Sequence, residues 1–487
     1  MNPYAIPASD LAAVLPEIVL AAAGCLILML EAFLPRARRS FTGLALLSTL
    51  AAAWLLWTRV PSGSHFSGAI ESTALTTFFS FLVLAAAALS LAGTHRYLRR
   101  EKILQGEYHA LFLWSVTGVL LLVRATDLLT LFLALELLSI CLYALAGFHR
   151  RLAESTEAAL KYFLMGAFVS GFVLLGIALI YGESGATQIS GITEALAAGQ
   201  GSLQLITLGF VLLISGFAFK MSVVPFHAWA PDVYQGSPTP FTAFLSVAPK
   251  AASAVVILRL LQCLGDAATP GKWTGLIAFL AVASMLAGNL LGLVQRDLRR
   301  LLAYSGIAHM GYLLLAFLSV DGESWSAAAV YLAAYALMNG GAFLIVSELF
   351  ERTGDAHLLS DLAGWGYRRP FLSACLTVLL LSLGGIPPTL GFLGKYLVFS
   401  HAIRSGHVGL AIVGVMASLV GVFYYLRVVY FLYMKPEVRE PEMAAPMRGL
   451  DWGGTIAVGV AALAILLMGI LPARLLAWLA QAIAPLG

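Results

Sequence analysis

Seven ionisable side chains of this protein lie inside long apolar segments, away from the charged loops. They are Glu136, Lys161, Lys220, His227, Lys250, His309 and Lys395. A charged side chain at the centre of a membrane helix costs about 2.5–3.5 kcal/mol, and such residues mark ion or proton paths. Carboxyl, ammonium and imidazole groups can all bind and release protons. The residue types therefore predict proton transfer through the interior of the protein.

The composition indicates that these residues lie in a membrane. Of the 487 residues, 60% are hydrophobic and 11% are charged, and the mean hydropathy is +0.90. A soluble domain has roughly 25% charged residues. The net charge is only +4, and no basic cluster is interleaved with aromatic residues, which argues against nucleic-acid binding. We therefore expect one all-α polytopic membrane unit.

Fourteen apolar segments have about the length that crosses a bilayer as a helix. We number them as spans 1 to 14. They cover approximately 11–34, 41–59, 73–94, 108–124, 127–147, 157–181, 203–235, 240–264, 274–294, 299–318, 325–350, 371–403, 407–433 and 453–482. These spans are the elements that must position the ionisable side chains.

Spans 7 and 12 are too long for a simple crossing, and prolines interrupt both. Pro225 lies in span 7, and Pro387 and Pro388 lie in span 12. Because proline removes a backbone donor, we expect both spans to be broken helices. Pro249 predicts a distortion in span 8, and the stretch "APDVYQGSPTP" is expected to be a short cytoplasmic turn between spans 7 and 8.

The loop charges predict the orientation of the chain. Alternate connections, beginning with that between spans 1 and 2, hold eighteen Lys and Arg residues, and the opposite connections hold five. Since cytoplasmic loops are enriched in Lys and Arg, both termini should lie on the non-cytoplasmic side. Arg259 and Arg427 lie within spans but near helix ends, where snorkelling or structural pairing would accommodate them.

Glu136 lies near the middle of span 5 and needs a partner. Spans 5 and 6 are joined by a short loop and should be antiparallel neighbours, so Lys161 is the nearest basic candidate. A change in their separation would alter the proton affinity of the lysine, because a nearby carboxylate stabilises an ammonium. Lys161 could instead snorkel toward the cytoplasmic face.

The remaining buried groups lie near the predicted helix breaks or on neighbouring spans. Lys220 comes just before Pro225, and Lys395 follows the prolines of span 12. His227 and His309 could each relay protons or act as structural hydrogen-bonding groups. Ordered along the chain, the lysines follow one another on spans 6, 7, 8 and 12, which suggests a path.

The paired interruptions suggest two inverted five-helix repeats, spans 4–8 and 9–13, each broken in its fourth helix. The odd number of helices per repeat makes the second repeat inverted. We expect an N-terminal three-helix segment (1–107), a first antiporter-like repeat (108–264), a second repeat (265–434) and a C-terminal helix 14 (435–487).

The sequence has none of the motifs that hold a cofactor. It contains no GxGxxG after a strand, no Walker loop, no metal-ligand spacing and no nucleophile elbow. No carboxylate and carbonyl cluster of the kind that sodium prefers is visible, so the lysines suit protons better. We expect no cofactor in this chain, and the driving energy should come from a partner or an ion gradient.

Five motifs of the sequence are distinctive. They are "GEYHALFLWSVTGVLLLVRATDLLTLFLALELLSICLYALAGF", "STEAALKYFLMGAFVSG", "FKMSVVPFHAWAPDVYQGSPTPFTAFLSVAPKAA", "QRDLRRLLAYSGIAHMGYLLLAF" and "GIPPTLGFLGKYLVF". Together they resemble the antiporter-like membrane subunits of respiratory NADH:quinone oxidoreductase (complex I), and the subunit N group most. The resemblance covers nearly the whole chain and implies fourteen helices with two inverted repeats.

The resemblance also implies roles and partners. Glu136 and Lys161 match the glutamate–lysine pair of the first repeat, Lys220 and Lys250 match the lysines of spans 7 and 8, and Lys395 matches the residue on broken span 12. His227 and His309 match positions on the polar axis of the family. The implied partners are the other membrane-arm subunits, especially M, J and K, and the bacterial inner membrane. NADH and quinone would be bound by other subunits, so this chain would be part of an enzyme without a redox site.

A second hypothesis is a subunit of a multi-subunit cation/proton antiporter, which uses the same lysine–glutamate chemistry with an ion gradient. The "APK" segment and the lysine at position 395 favour the first hypothesis. A purely structural scaffold would leave the buried lysines and Glu136 unexplained.

Overall fold

The computed structural model describes residues 7–265, 272–349, 357–435 and 452–483. Helices make up almost all of its regular structure. The strands are β1 (Gly63–His65) and β2 (Ile70–Ser72), which pair antiparallel between spans 2 and 3. The described structure therefore confirms an all-α membrane fold with one small extramembrane hairpin.

The α-helices are numbered in chain order. They are α1 (Ala8–Ala13), α2 (Leu15–Phe33), α3 (Phe41–Thr58), α4 (Ala74–Arg100), α5 (Gly106–Arg124), α6 (Leu128–Ala146), α7 (Ala153–Ser184), α8 (Ile189–Ala197), α9 (Leu203–Met221), α10 (Trp229–Gly236), α11 (Thr239–Leu245), α12 (Ala248–Leu264), α13 (Lys272–Val294), α14 (Leu298–Leu314), α15 (Gly322–Leu349), α16 (Trp365–Arg368), α17 (Pro370–Gly384), α18 (Leu390–Arg404), α19 (Val408–Tyr433), α20 (Trp452–Ile470) and α21 (Ala473–Ile483). Short 3₁₀ segments cover Pro35–Ser40, Leu315–Phe317 and Leu359–Leu362.

Within the described residues, 13 helices are long and apolar enough to cross a membrane. The pair α17 and α18 supplies one more span, so the predicted fourteen are present. The final segment departs from the prediction of one helix over 453–482, because it divides into α20 and α21. Pro472 lies in the gap, where it cannot donate the backbone hydrogen bond that would continue α20.

Span 7 is broken as predicted, between α9 and α10. At the end of α9, Ser222 adopts a left-handed φ of 61°, and the N–H groups of Ser222 and Val223 bond back to the carbonyls of Phe219 and Ala218 at 2.9 Å. Residues 229–236 form the buried helix α10 and are not part of a turn. The prediction for "APDVYQGSPTP" is therefore wrong over most of its length, since apolar burial of this stretch favours a helix.

Span 12 repeats the same backbone arrangement. The N–H groups of Gly385 and Ile386 bond back to Ser382 and Leu381 at 2.9 and 3.0 Å, and Gly385 has a left-handed φ of 80°. These four residues stand at the same distances before Pro388 as the corresponding residues stand before Pro225. The local chemistry of a helix end before a proline thus produces two equivalent breaks.

Corresponding bonds also occur where spans 5 and 10 begin. Leu128 N–H donates to the carbonyl of Thr187 at 2.8 Å, and Leu298 N–H donates to that of His357 at 2.9 Å. Each acceptor lies equally far along the chain from its donor. This recurrence relates spans 4–8 to spans 9–13, while the inverted orientation and the domain bounds stay predictions.

The two arginines within spans are held by structural pairing. Arg259 donates to the carbonyl of Ala125 at 2.8 Å, at the end of α5. Arg427 donates to the carbonyls of Leu293 and Gln295 at 2.7 and 2.6 Å, at the end of α13. Each guanidinium therefore caps the free carbonyls of a helix C-terminus.

Loops that should lie on the same side of the membrane contact one another, as expected when successive spans cross in alternate directions. The backbone N–H of Phe66 donates to the Asp10 carboxylate, and the Thr126 hydroxyl donates to the Gly68 carbonyl. The N-terminus and the connections 2–3 and 4–5 thus meet on one face. Which face is cytoplasmic stays a prediction, and three of the loop residues that support it, Arg352, Arg439 and Arg448, lie outside the described residues.

The contact between α7 and α9 depends on small residues. A Cβ built on Gly176 would lie 2.7 Å from the carbonyl oxygen of Gly209, whereas one on Gly171 meets nothing within 4 Å. Both glycines are on α7, so a comparison of their alanine variants separates the effect of helix packing from the effect of helix propensity.

We expect Gly176→Ala to lower the apparent Tm of the detergent-solubilised protein by several degrees, because the added methyl group pushes α7 and α9 apart. Gly171→Ala should leave the Tm unchanged or raise it slightly, since alanine favours a helix. Thermal unfolding followed by size-exclusion chromatography measures both. Equal effects of the two substitutions would contradict the proposed close contact.

Candidate proton-transfer site

Lys220 lies in the last turn of α9, where the broken helix places it in a buried aromatic environment. Its Nζ lies 3.5 Å from the Tyr143 hydroxyl and 5.0 Å from the ring centroids of Tyr143 and Tyr162. Aromatic rings attract a cation through their quadrupole, and the attraction is larger when the cation is desolvated. The site can therefore hold an ammonium without a direct carboxylate partner.

Glu136 lies on α6 and is half-buried. Its carboxylate accepts a hydrogen bond of 2.5 Å from the Ser170 hydroxyl on α7. Glu136 lies two helical turns before Tyr143 on α6, and the Tyr143 hydroxyl is 3.5 Å from Lys220 Nζ. Glu136 is therefore an electrostatic neighbour of the lysine in span 7.

Lys161 is paired elsewhere, and the predicted Glu136–Lys161 pair is not formed. Its Nζ lies 2.6 Å from Asp232 and 2.7 Å from Glu157. Because α6 and α7 are antiparallel, the residue opposite Glu136 is Ser170, and Lys161 lies about 13 Å further along α7. The short loop identified the correct helix pair, but only the helix register determines which residues face each other.

Asp232 joins three spans, and the sequence analysis missed it. Its carboxylate accepts from Lys161 of α7 at 2.6 Å and from Arg300 of α14 at 2.7 Å. The composition around Asp232 predicts a turn, where a charged residue needs no partner. Helix α10 instead carries it between α7 and α14.

Lys250 lies in the first turn of α12 and is fully buried. Among the described residues, its Nζ has no hydrogen-bond partner. The rings of Tyr234 and Tyr335 lie 5.6 and 5.8 Å away, and a Cβ at Gly306 would come within 3.1 Å of the Nζ. The missing side chain at Gly306 leaves room beside the ammonium.

His309 on α14 lies between two lysines and is buried. Its Nδ1 is 2.7 Å from the Tyr331 hydroxyl and its Nε2 is 3.2 Å from that of Tyr425. The ring of His309 lies 5.5 Å from that of Tyr335, which faces Lys250, and 5.7 Å from that of Tyr312, which faces Lys395. The imidazole is therefore placed to exchange protons between hydroxyl groups.

Lys395 uses the break of span 12 directly. Its Nζ donates to the carbonyls of Leu383 and Gly384, at 2.8 and 3.1 Å, and to the Ser418 hydroxyl at 2.8 Å. The C-terminal end of a helix carries free carbonyls and partial negative charge. The end of α17 therefore supplies the counter-charge for this lysine.

Aromatic residues connect the site of Lys220 with that of Lys250. Trp229 stacks on Tyr162 at 4.4 Å and contacts Tyr234 at 6.0 Å, and the Tyr234 ring faces Lys250. Sequence reasoning missed these aromatic residues because an aromatic side chain in an apolar helix has the same pattern whether it packs in the core or faces a cation.

His227 lies in the gap between α9 and α10, as predicted, and is half-buried. Its Nδ1 has no hydrogen-bond partner within the described part of the chain. Its role as a relay stays a prediction. The described residues also contain no group of three His, Cys, Asp or Glu side chains that could hold a metal ion.

Fourteen spans, two broken helices and a row of buried cations define a polytopic membrane protein of the ion-translocating class. The family model described as "NADH:quinone oxidoreductase/Mrp antiporter, TM" matches residues 125–421. The chain belongs to this family of membrane subunits.

Relatives with known names and structures are similar over nearly the full length. The NADH-quinone oxidoreductase subunit N of Trichlorobacter lovleyi is 38% identical over 482 residues, which is 97% of each chain. A chain of respiratory complex I from Thermus thermophilus matches with a TM-score of 0.80 and 34% identity, over 95% of this chain and 98% of that one. A chain of the Mrp complex from Dietzia sp. has a TM-score of 0.81 at 19% identity, over 98% and 97%, and shows the fold alone.

Lys250 and Lys395 are buried in opposite environments, so replacement of each by methionine should change the stability in opposite directions. We expect Lys250→Met to raise the apparent Tm by a few degrees, because it replaces an unpaired buried ammonium with an apolar group of similar size. Lys395→Met should lower the Tm, because it leaves two carbonyls of α17 without a donor.

Thermal unfolding of the purified protein in one detergent measures both variants against wild type. A decrease for Lys250→Met as large as that for Lys395→Met would contradict the assigned environments.

Proposed function

We propose that this chain is the proton-translocating, subunit N-type membrane-arm subunit of a bacterial NADH:quinone oxidoreductase. The observation that carries the proposal is the row of buried cations Lys220, Lys250 and Lys395, with the buried His309 next to tyrosines that face the last two. Three buried ammonium groups are expensive for stability alone. Each can bind and release a proton, and this function explains why the protein retains groups that lower its stability.

The proposed path begins at Lys220. Its aromatic surroundings hold the ammonium, and Glu136 supplies a negative charge on the same helix as Tyr143. Removal or screening of that charge would favour proton release toward Lys250. His309 then links Lys250 with Lys395, because the Tyr335 ring lies near both His309 and Lys250, and the Tyr312 ring lies near both His309 and Lys395.

Electron transfer would take place in other subunits of the complex, which would bind NADH and quinone. This chain would contribute residues that move protons and no redox cofactor. The sister subunit M and the small subunits J and K are the proposed neighbours in the bacterial inner membrane, with both termini on the non-cytoplasmic side. The 34% identity to a chain of respiratory complex I supports membership of such a complex.

The alternative is a subunit of a multi-subunit cation/proton antiporter, whose chains share the fold. The two functions differ in their energy source. Proton uptake driven by NADH oxidation supports the first, whereas proton movement driven by a sodium gradient without NADH supports the second.

We expect Lys220→Ala to reduce NADH-driven proton pumping several-fold and to slow coupled quinone reduction, because it removes the first proposed proton carrier. Assembly of the complex should be unchanged. Inverted membrane vesicles allow pumping, NADH oxidation and assembly to be measured together. Lys102→Ala, which changes an exposed loop lysine, is the matched control. Wild-type pumping by the assembled Lys220→Ala complex would remove Lys220 from the path.

Glu136→Gln should cause a loss of pumping similar to or smaller than that of Lys220→Ala, since it removes the charge but keeps an acceptor for Ser170. Ser170→Ala removes the hydroxyl and keeps the charge, so its effect should be smaller still. The ratio of protons pumped to NADH oxidised measures both. Unchanged pumping in Glu136→Gln would assign this carboxylate a structural role only.

A further inference from the structure

Asp232 contacts ionisable groups from both halves of the protein. Its two carboxylate oxygens bond separately to Lys161 of span 6 and to Arg300 of span 10. Helix α10, which carries Asp232, packs against both α7 and α14. A change at this carboxylate therefore affects both halves at once.

The position of Asp232 in the repeat is also informative. Asp232 lies as far beyond Pro225 as Lys395 lies beyond Pro388. The backbone bonds before the two prolines correspond one to one. The position that holds the candidate carrier Lys395 in the second half is therefore occupied by a carboxylate in the first half.

We propose that Asp232 is a positioning residue for proton translocation, and that its bridge to Lys161 controls the placement of α10 beside Lys220. This inference rests on the proposed function. While the bridge is closed, Asp232 holds α10 against α7. When it opens, α10 is free to shift. The step changes only a contact and transfers no proton.

The aromatic contacts explain how the bridge reaches Lys220. Trp229, in the first turn of α10, stacks on Tyr162 and donates to the carbonyl of Phe219 at 3.0 Å. Tyr162 directly follows Lys161 in the chain and faces the Lys220 ammonium. A shift of α10 therefore changes the surroundings that hold the charge of Lys220.

The exposure of the bridge suits a reversible contact. The side chains of Lys161 and Asp232 are 42% and 33% exposed. A partly exposed ion pair holds its members less firmly than a fully buried one, so a change in a nearby charge can open it. Arg300 still holds the other carboxylate oxygen when Lys161 leaves, so α10 stays attached to α14 while its position relative to α7 changes.

The test compares variants of the complete complex in inverted membrane vesicles. Asp232→Asn should lower the ratio of protons pumped to NADH oxidised at least two-fold, and Asp232→Glu should restore much of it. Glu157→Gln is the matched control, because Glu157 contacts the same ammonium but is 62% exposed and does not bond Arg300. Its ratio should remain near wild type.

A double variant distinguishes positioning through Lys161 from a general structural role. Asp232→Asn combined with Lys161→Gln should lose no more pumping than Lys161→Gln alone, because both remove the same bridge. Additive losses, or a wild-type ratio in Asp232→Asn, would overturn the proposal. If Asp232→Asn does not assemble, assembly restored in the double variant supports the bridge, and continued failure overturns it.

Lys220→Ala in the same preparation distinguishes a failure of the proposed function from a failure of the role proposed for Asp232. Normal pumping in Lys220→Ala refutes the proposed function itself. Loss of pumping in Lys220→Ala, with a wild-type ratio in Asp232→Asn, refutes only the role of Asp232.

Discussion

An ammonium group inside a membrane protein requires protein groups in place of its water, and the structure meets this requirement in different ways. Lys395 bonds to carbonyls that the break of span 12 leaves free. Lys220 lies against aromatic rings. Lys250 lies against the rings of Tyr234 and Tyr335 and packs closely against Gly306. The breaks, the tyrosines and the small residues all follow from the cost of removing a cation from water.

The two halves share a backbone arrangement but differ in their charges. Both broken spans end their first part with a left-handed residue and the same pair of hydrogen bonds. Lys220 lies before the break of span 7, whereas Lys395 lies after the break of span 12. A repeated scaffold can therefore offer several positions for a charge, and each half uses a different one.

Much of the fold was predictable because each signal is local. The length of an apolar segment predicts a span, and Pro225 and Pro387 predict breaks because proline lacks a backbone donor. The burial of Lys220, Lys250 and Lys395 follows from their places within apolar runs, and the structure confirms it. The helix α10 was missed because its prolines and polar residues have the composition of a turn.

The number of spans, the two breaks and the burial of Lys220, Lys250, His309 and Lys395 could be predicted from the sequence, since these depend on residue types over one or two helices. Only the tertiary structure decided the partners: Asp232 and not Glu136 for Lys161, Tyr331 and Tyr425 for His309, and Ser418 for Lys395. Partner choice depends on the register and rotation of helices that are distant in the chain. A local pattern contains no information about either.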